Sequence, residues 1–525
     1  MKKYIYTILI AGICSSCADF LQEEPRDEMS SEQFFTIPQH AHDAVNSLYR
    51  NGAPQIINSA ASYGGSRAML GNYMSGYFDN EYRGQEPHVQ HTQQLTLNGV
   101  NLATYLGNTW ADLYRGIARA NNAIKYIPTI EALPANEASM LLAEARFFRA
   151  FSYFYLAKMF GPVPLIVDPY ESLENLYMER APLEQIYGLI VSDLEFAINE
   201  GGLSQSSMAN NGNRIAQGTA QALLADVYLT MSGYPLQQDN YQNAAAMARS
   251  VVNSGSYALV DHDRDGDGNV IPENSAYNKI RRASVSPSEY IYFIEYTVGI
   301  ANNTYPVYTM PVSVTSEAAY GVTNGAYQPL SRFLNGYDPQ QDLRVQEKQY
   351  FHSSFTNNQG NTFTFGTAPY MWHDETAIRE TAASGKDVAV YRYADVLLTG
   401  AEAIAQSEGV TDEAVRYLAD VRSRAYFTQT REEIEADLRA LSAGEFIQEV
   451  WKERFREQVF EFHLWADIQR TRQYPITQEG GVINYVDVIG QPNGWGRSFT
   501  ENNLLFPIPE TELQRNPALT QNPGY

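Results

Sequence analysis

The sequence predicts an all-α fold, a helical solenoid interrupted by long irregular insertions that carry minor β-structure. Apolar residues recur at helical spacing over several long segments, which indicates amphipathic helices. Two of these segments repeat one helix–turn–helix pattern, which indicates stacked helix pairs. Between about 256 and 387 the sequence changes to scattered Gly, Pro, Asn, Ser and Tyr with short β-rich runs, so this stretch is predicted to be an irregular insertion.

The clearest helix surrounds residues 141–159, where apolar residues alternate at spacings of four and three. Its neighbouring face carries Phe147, Phe151 and Phe154, so we expect it to be buried on most sides, and Gly161-Pro162 ends it. Further amphipathic helices are predicted at about 106–127, 182–199, 215–232, 240–254, 391–407, 411–425 and 443–471.

The repeated unit is a helix, a turn with glycine, and a second helix with alanine near its start. It occurs at 222–244 and again at 394–414. Small residues let paired helices approach closely, as in tetratricopeptide-like packing. A single domain is predicted over 36–525, with the helical scaffold at about 36–255 and 388–475, the irregular insertion at about 256–387 and an irregular tail at 476–525.

Composition and charge exclude some classes of partner. Of the 525 residues, 44% are hydrophobic and 18% are charged, which is a globular composition. Acidic residues outnumber basic ones 60 to 37, and the net charge of −23 excludes nucleic acid, because binding to phosphates depends on Lys and Arg. The 37 tyrosines, against 23 phenylalanines, suit a recognition surface that is partly exposed to solvent.

The first residues are typical of a lipoprotein signal. A short basic start is followed by an apolar stretch at 4–13 that is too short to span a bilayer. Small residues then precede Cys17, which predicts a signal peptide at 1–16, a lipidated Cys17 and a tether at 17–35. An ordinary secretory signal is the alternative. The other cysteine is Cys14, so no disulfide framework or cysteine zinc site exists downstream.

Several blocks, read in order, resemble the RagB/SusD family of nutrient-uptake outer-membrane lipoproteins. One block departs from the family pattern, since Phe462 stands where the family more often has Gly, and Leu464 where it more often has Arg. The matching blocks are 17–21 CADFL, 144–150 EARFFRA, 161–165 GPVPL, 336–338 GYD, 342–344 DLR, 392–398 RYADVLL, 401–403 AEA, 506–509 FPIP and 516–525 NPALTQNPGY.

The resemblance implies a surface-exposed glycan-binding protein, lipid-anchored in the outer membrane of a Gram-negative cell. It implies that the protein captures an oligo- or polysaccharide for a SusC-like TonB-dependent transporter, is not an enzyme and needs no cofactor. The implied fold has about eight helices in four tetratricopeptide-like pairs, with the sugar site on the insertions. The negative charge favours a neutral glycan over an acidic or sulfated one.

The sugar site should combine flat aromatic rings with planar hydrogen-bonding side chains. By the resemblance, the family's glycan contacts come from two regions of the chain. For any single aromatic residue, packing in the core is the alternative. The candidates are Tyr63, Tyr73, Tyr77, Asp79, Asn80, Tyr82 and Arg83 in the first region, and Tyr305, Tyr308, Tyr320, Asn324, Tyr327 and Trp372 in the second.

Acidic residues alternate at 261–269 in a pattern that could direct oxygen ligands around calcium. The candidate ligands are Asp263, Asp265, Asp267 and Asn269, with Gly268 permitting a sharp turn. Glu273 falls one position early for an EF-hand. A structural calcium is therefore one interpretation, and a solvated acidic turn is the other.

A mixed-charge helix face, at Glu449, Lys452, Glu453, Arg454, Arg456 and Glu457, is predicted to be solvated, with a transporter contact as the alternative. No hydrolase, zinc-protease or nucleotide-binding motif occurs in the sequence. Two rival functions stay open at this stage. One is a secreted glycosidase or peptidase, and the other is a solenoid lipoprotein that binds peptides or proteins.

Overall fold

The computed structural model describes residues 34–58, 65–170, 176–283 and 286–525. The predicted signal peptide, Cys17 and nearly all of the tether lie outside the described residues, as does Tyr63. The α-helices are α1 (Pro38–Leu48), α2 (Ala53–Ile57), α3 (Leu70–Ser75), α4 (Pro87–Gln93), α5 (Ala103–Tyr126), α6 (Ala135–Phe160), α7 (Leu183–Asn199), α8 (Gln217–Ser232), α9 (Tyr241–Asn253), α10 (Ala276–Arg282), α11 (Ser331–Leu334), α12 (Tyr393–Glu408), α13 (Asp412–Ala425), α14 (Arg431–Arg439), α15 (Ala443–Glu457), α16 (Leu464–Thr471) and α17 (Glu510–Arg515).

The long helices form a continuous row. Helix α5 packs on α6, α6 on α7, α7 on α8 and α8 on α9, and α9 then packs on α12, which contacts α13 and α15. The predominantly helical fold with little sheet is confirmed. Within the described chain, none of these helices is both long and apolar enough to cross a membrane.

Helix α6 packs between α5 and α7 in this row and is buried on most of its sides. Phe147, Phe151 and Phe154 are each at most 1% exposed, as the apolar pattern predicts. The helix ends at Gly161, whose φ of 72° is a conformation that glycine adopts without a Cβ clash.

The single helix predicted at 443–471 is wrong. Helix α15 ends at Glu457 and α16 begins at Leu464, and Phe462 between them has a φ of 63°. This left-handed backbone conformation cannot continue a right-handed helix. The apolar pattern continues through the break because Val459 and Phe460 are also buried, so periodicity alone did not reveal it.

The minor β-structure consists of two-stranded antiparallel sheets, β1 with β3, β2 with β6, β4 with β5 and β7 with β8. The β2–β6 sheet fastens the insertion to the scaffold, because β6 leads directly into α12. The strands are β1 (Phe78–Asp79), β2 (Tyr290–Ile294), β3 (Gln328–Pro329), β4 (Phe351–Thr356), β5 (Thr362–Pro369), β6 (Val388–Arg392), β7 (Gln473–Gln478) and β8 (Val482–Asp487).

Four of the six residues on the mixed-charge face of α15 are buried, contrary to the prediction of a solvated face, while Glu449 and Lys452 are half-buried. Glu453 and Glu457 are fully buried, and Arg454 and Arg456 are at most 5% exposed. Arginines from other elements neutralise these carboxylates, which is what allows a helix to bury them. Residues buried in this way also cannot form the alternative contact with a transporter.

Candidate functional site

Two chambers that share lining residues form what we call the insertion cleft. The first chamber lies between the insertion and the scaffold, and the second lies within the insertion. The first chamber has a volume of about 280 Å³ and the second of about 410 Å³. Arg281, Arg282 and Lys386 line both chambers. The first is also lined by Tyr290, Tyr350, Trp372, Asp387 and Phe460, and the second by Lys348, Tyr370, His373, Asp374, Glu375 and Arg379.

Short elements of the insertion position these side chains. Helix α10 is capped by Ser275, whose hydroxyl accepts a hydrogen bond from the Asn278 amide, and it ends with Arg281 and Arg282. Basic residues in a last helical turn interact favourably with the helix dipole. Strand β5 leads into the segment 370–373, and Lys386 lies just before β6. Helix α10 therefore meets at the cleft two later segments that are far from it in sequence.

Trp372 supplies an aromatic surface in the first chamber. Its ring is half-buried and packs against Tyr305 and Phe460, with centroids 4.7 and 5.0 Å away. These buried neighbours fix the indole while part of its surface faces the chamber. Such a fixed ring can stack on the C–H face of a sugar without a large loss of side-chain entropy.

Cationic side chains stand beside the aromatic rings. The Arg281 guanidinium lies 4.3 Å from the centroid of the Tyr370 ring and donates to the carbonyl oxygen of His373 at 3.1 Å. The Lys386 ammonium lies 3.5 Å from the same oxygen. Burial lowers the pKa of Lys386 to about 8, and nearby Arg281 and Arg282 contribute to the decrease, whereas Asp374 and Glu375 oppose it.

The carboxylates of the cleft are held by other groups. Asp387 accepts hydrogen bonds from the Ser286 hydroxyl and the Tyr296 amide at 2.6 and 2.9 Å. Asp374 accepts from the Ser384 hydroxyl at 2.7 Å. Glu375 pairs with Arg379 and His373, which lowers the pKa of Glu375 to about 2. Planar polar groups and aromatic rings thus share one cavity, an arrangement suited to sugar hydroxyls.

The structure places five of the predicted glycan contacts in the core, where a surface ligand cannot reach them. Tyr73, Tyr77, Asn80, Asn324 and Tyr327 are at most 1% exposed. The tyrosine hydroxyls donate to backbone carbonyls, that of Tyr327 to Val459 at 2.9 Å. The structure shows that these residues pack in the core, which was the alternative interpretation. Their hydroxyls, rather than any ligand, explain why tyrosine was preferred over phenylalanine.

Tyr305 and Tyr308 are also fully buried. The other candidates are more accessible. Arg83 is exposed, pairs with Asp79 at 2.8 Å and lies 4.5 Å over the ring of Trp495, while Tyr82 beside it is half-buried. Tyr320 is half-buried too, and its hydroxyl has no hydrogen-bond partner among the described residues. Of the predicted candidates that the structure describes, Trp372 is the one that lines the insertion cleft.

The two predicted regions do meet in the structure. Strand β1 pairs with β3, the Phe78 ring stacks on Tyr327 at 4.1 Å, and the Asn72 amide donates to the Tyr327 hydroxyl. This junction supports the cleft from within instead of lining it. The sequence analysis missed Arg281, Arg282, Lys348 and Lys386. One signal was present, since the run Lys-Ile-Arg-Arg at 279–282 is strongly basic for so acidic a chain.

The predicted calcium loop forms a tight turn. The Asp265 carboxylate accepts from the amides of Asp267 and Asn269 at 3.0 and 2.9 Å, and Asp263 pairs with Lys279 at 2.9 Å. Within the described ranges, no group of three metal-binding side chains comes together. Calcium binding there stays a prediction, which a calcium titration followed by calorimetry tests.

Comparisons with known proteins agree with the geometry. The family described as "SusD family" matches residues 288–525, and the one described as "Starch-binding associating with outer membrane" matches residues 19–229. A crystal structure of a SusD superfamily protein from Parabacteroides distasonis is 30% identical, with a TM-score of 0.80, covering 95% of this chain and 100% of that one.

Two more distant relatives extend the comparison. SusD-like protein P2 of Formosa agariphila is 26% identical over 551 residues, which cover 100% of both chains. Surface glycan-binding protein A from Bacteroides fluxus is 19% identical with a TM-score of 0.71, covering 93% of this chain and 100% of that one, a likeness of fold. With the relative from Parabacteroides distasonis matched over its whole length, this chain belongs to the SusD family.

Proposed function

We propose that this protein is a surface glycan-binding lipoprotein that captures an oligo- or polysaccharide in the insertion cleft and delivers it to a SusC-like TonB-dependent transporter. Family membership supports a glycan ligand and a location at the outer membrane, since one matching family is described as starch-binding and associating with the outer membrane. The observation that carries the proposal is the half-buried Trp372 indole, fixed on the wall of a cleft rich in hydrogen-bonding groups.

The cleft suits weak and reversible binding. One stacking ring and a few polar side chains around an open cavity should give a dissociation constant on the order of micromolar to millimolar. A ligand that must be passed on to a transporter benefits from such release. Truncating the indole should therefore remove a large share of the binding free energy.

The proposed role is binding without cleavage. A glycosidase needs one carboxyl group as acid and another as base or nucleophile. The cleft carboxylates Asp374, Glu375 and Asp387 instead accept hydrogen bonds from hydroxyl, amide, imidazole and guanidinium donors. The fourth, Glu461, pairs with Arg392 at 2.6 Å. These partners support a structural role for the four acids.

The test is binding of the purified protein to a panel of polysaccharides in native gels, with an assay for new reducing ends on the same samples. Retardation without cleavage is expected. The variant Trp372→Ala should lower affinity about tenfold, while the matched variant Trp495→Ala, at an aromatic residue outside the cleft, should bind like wild type. Cleavage, or loss of binding in Trp495→Ala alone, would contradict the proposal.

The anchor and the partner need separate tests. The variant Cys17→Ala should be absent from the membrane fraction and should not incorporate labelled palmitate, because the lipidated cysteine is proposed to be the attachment point. A SusC-like barrel should co-purify with the wild-type protein from detergent extracts. We also propose that the row of long helices is organised as four tetratricopeptide-like pairs, which the contacts of α5 with α6 and of α8 with α9 support.

A further inference from the structure

The insertion cleft is cationic in a strongly acidic protein. The net charge of the chain is −23, yet Arg281, Arg282, Lys348 and Lys386 all line this opening. Lys348 and Arg282 are exposed, and Lys386 is half-buried. A local charge opposite to that of the whole molecule attracts a ligand of the opposite sign and concentrates it at the site.

These four side chains lack the partners that other basic groups of the chain have. Among the described residues, none of the four forms an ion pair, whereas Arg344, Arg392 and Arg424 each pair with two or more carboxylates. The hydrogen bonds made by Arg281 and Arg282 go to carbonyl and amide oxygens instead. Their positive charge is thus not paired directly with any carboxylate, although Asp374 and Glu375 lie nearby.

Two of the cations converge on one atom. The Arg281 guanidinium and the Lys386 ammonium both approach the carbonyl oxygen of His373, at 3.1 and 3.5 Å. Like charges repel, so this arrangement is costly, and an anion placed between the two cations would relieve the repulsion. Four acids also line the cleft, and each has another partner. Asp374 accepts from Ser384, and Asp387 from Ser286 and the Tyr296 amide. Glu375 pairs with Arg379, and Glu461 pairs with Arg392.

We propose that the glycan bound in the insertion cleft is acidic and carries a carboxylate or sulfate group that Arg281, Arg282 and Lys386 bind beside the Trp372 ring. This inference rests on the proposed function, and it reverses the expectation of a neutral glycan drawn from net charge. Net charge describes the whole surface, whereas the ligand meets the local field of the cleft.

The first test compares matched ligands that share a sugar backbone and differ in the acidic group. Isothermal titration is carried out with an oligogalacturonide and its methyl ester, and separately with a carrageenan oligosaccharide and its desulfated form, to distinguish carboxylate from sulfate. One acidic member should bind at least tenfold more tightly than its uncharged partner, and its affinity should fall as salt increases.

The second test changes the cations. Lys386→Gln should lower affinity for the acidic ligand about tenfold and Lys348→Gln about threefold, with little effect on the uncharged form. Lys386→Arg keeps the positive charge and should bind the acidic ligand about as tightly as wild type. Arg119→Gln, at an exposed position of α5, is the matched control and should bind like wild type. Charge-neutral variants that bind the acidic ligand unchanged would overturn the inference.

A pH series adds an independent readout. Lys386 faces Arg281, Arg282, Asp374 and Glu375, and with a pKa of about 8 it loses its charge above that pH. Affinity for the acidic ligand should fall between about pH 7 and pH 9 in wild type and stay level in Lys386→Arg. Binding of neutral glycans alone would overturn this inference and leave the proposed function intact, while binding of no glycan would contradict both.

Discussion

Arg424 and Glu457 form a buried ion pair, with 2.8 Å between Nη2 and Oε1. Arg392 donates to the same carboxylate oxygen at 2.9 Å, and both arginines also bind Glu289. Because Glu289 precedes β2 and Arg392 ends β6, this network joins the insertion to α13 and α15. The arginines outweigh the effect of burial and lower the pKa of Glu457 to about 2. Buried ion pairs therefore hold the insertion that forms the cleft against the helical scaffold.

Removing one charge from this network should be costly. Glu457→Gln preserves the shape of the side chain but leaves buried arginines without full compensation, so the free energy of unfolding should fall by about 3–5 kcal/mol. Glu435→Gln on α14, which breaks surface pairs with Arg431 and Arg439, is the matched control and should cost less than about 1 kcal/mol. Urea denaturation of both variants measures the difference, and equal losses would refute the explanation.

Tyr77 and Trp372 should differ in what their truncation affects. Tyr77 is fully buried against Phe455 and Tyr474, so Tyr77→Ala should destabilise the protein by about 3–5 kcal/mol. Trp372 is half-buried, so Trp372→Ala should cost less stability and lower glycan affinity. Thermal melting and glycan titration of each variant separate the two roles. If Tyr77→Ala is instead stable and binds glycan more weakly, Tyr77 is a glycan contact, as the sequence predicted.

The sequence predicted the helices better than the site, for a physical reason. A helix that packs in a row shows its apolar face at local spacing, so α6, α8 and α12 follow from neighbouring residues. The cleft joins α10 to the segments before β6 and after β5, and no local pattern records that meeting.

Aromatic composition was ambiguous for a similar reason. Tyr73 and Tyr327 are core residues whose hydroxyls bond to backbone, while Trp372 reaches the cleft, and all three are aromatic residues among polar neighbours in the sequence. Burial depends on tertiary contacts, such as the Phe78–Tyr327 stack, that link residues about 250 positions apart.

At position 462, glycine should give a more stable protein than alanine, which is the reverse of their usual order in a helix. Its φ of 63° is unfavourable for any residue with a Cβ, and its ring packs 5.4 Å from Tyr327. Both Phe462→Ala and Phe462→Gly lose that packing, but the glycine variant also escapes the backbone strain, so it should be the more stable by about 1 kcal/mol.

A matched control for that comparison is Ala246, an exposed position in α9 with ordinary helical surroundings. Ala246→Gly should lower the free energy of unfolding by about 1 kcal/mol, because glycine is the poorer helix former. If glycine is also the less stable choice at position 462, left-handed strain is not what distinguishes that site.

His262 should make stability depend on pH between about 6.5 and 4. Its Nδ1 accepts from the Ala276 amide at 2.8 Å and its Nε2 donates to the Arg424 carbonyl at 2.7 Å, so only the neutral ring fits at the start of α10. Burial lowers the pKa of His262 to about 4. The unfolded chain takes up a proton below about pH 6.5 and the folded chain does not, so stability is present above that pH and declines as pH falls toward 4.

The variant His262→Gln keeps one donor and one acceptor but cannot take up a proton. Its free energy of unfolding should therefore fall less steeply than that of wild type between pH 6.5 and 4, by about 2–3 kcal/mol over the range. Urea denaturation at several pH values measures both curves, which share every other titrating group. Parallel curves would mean that the Ala276 amide finds another acceptor when His262 is charged. A smaller slope would show that the helix carrying Arg281 and Arg282 is held by a neutral histidine.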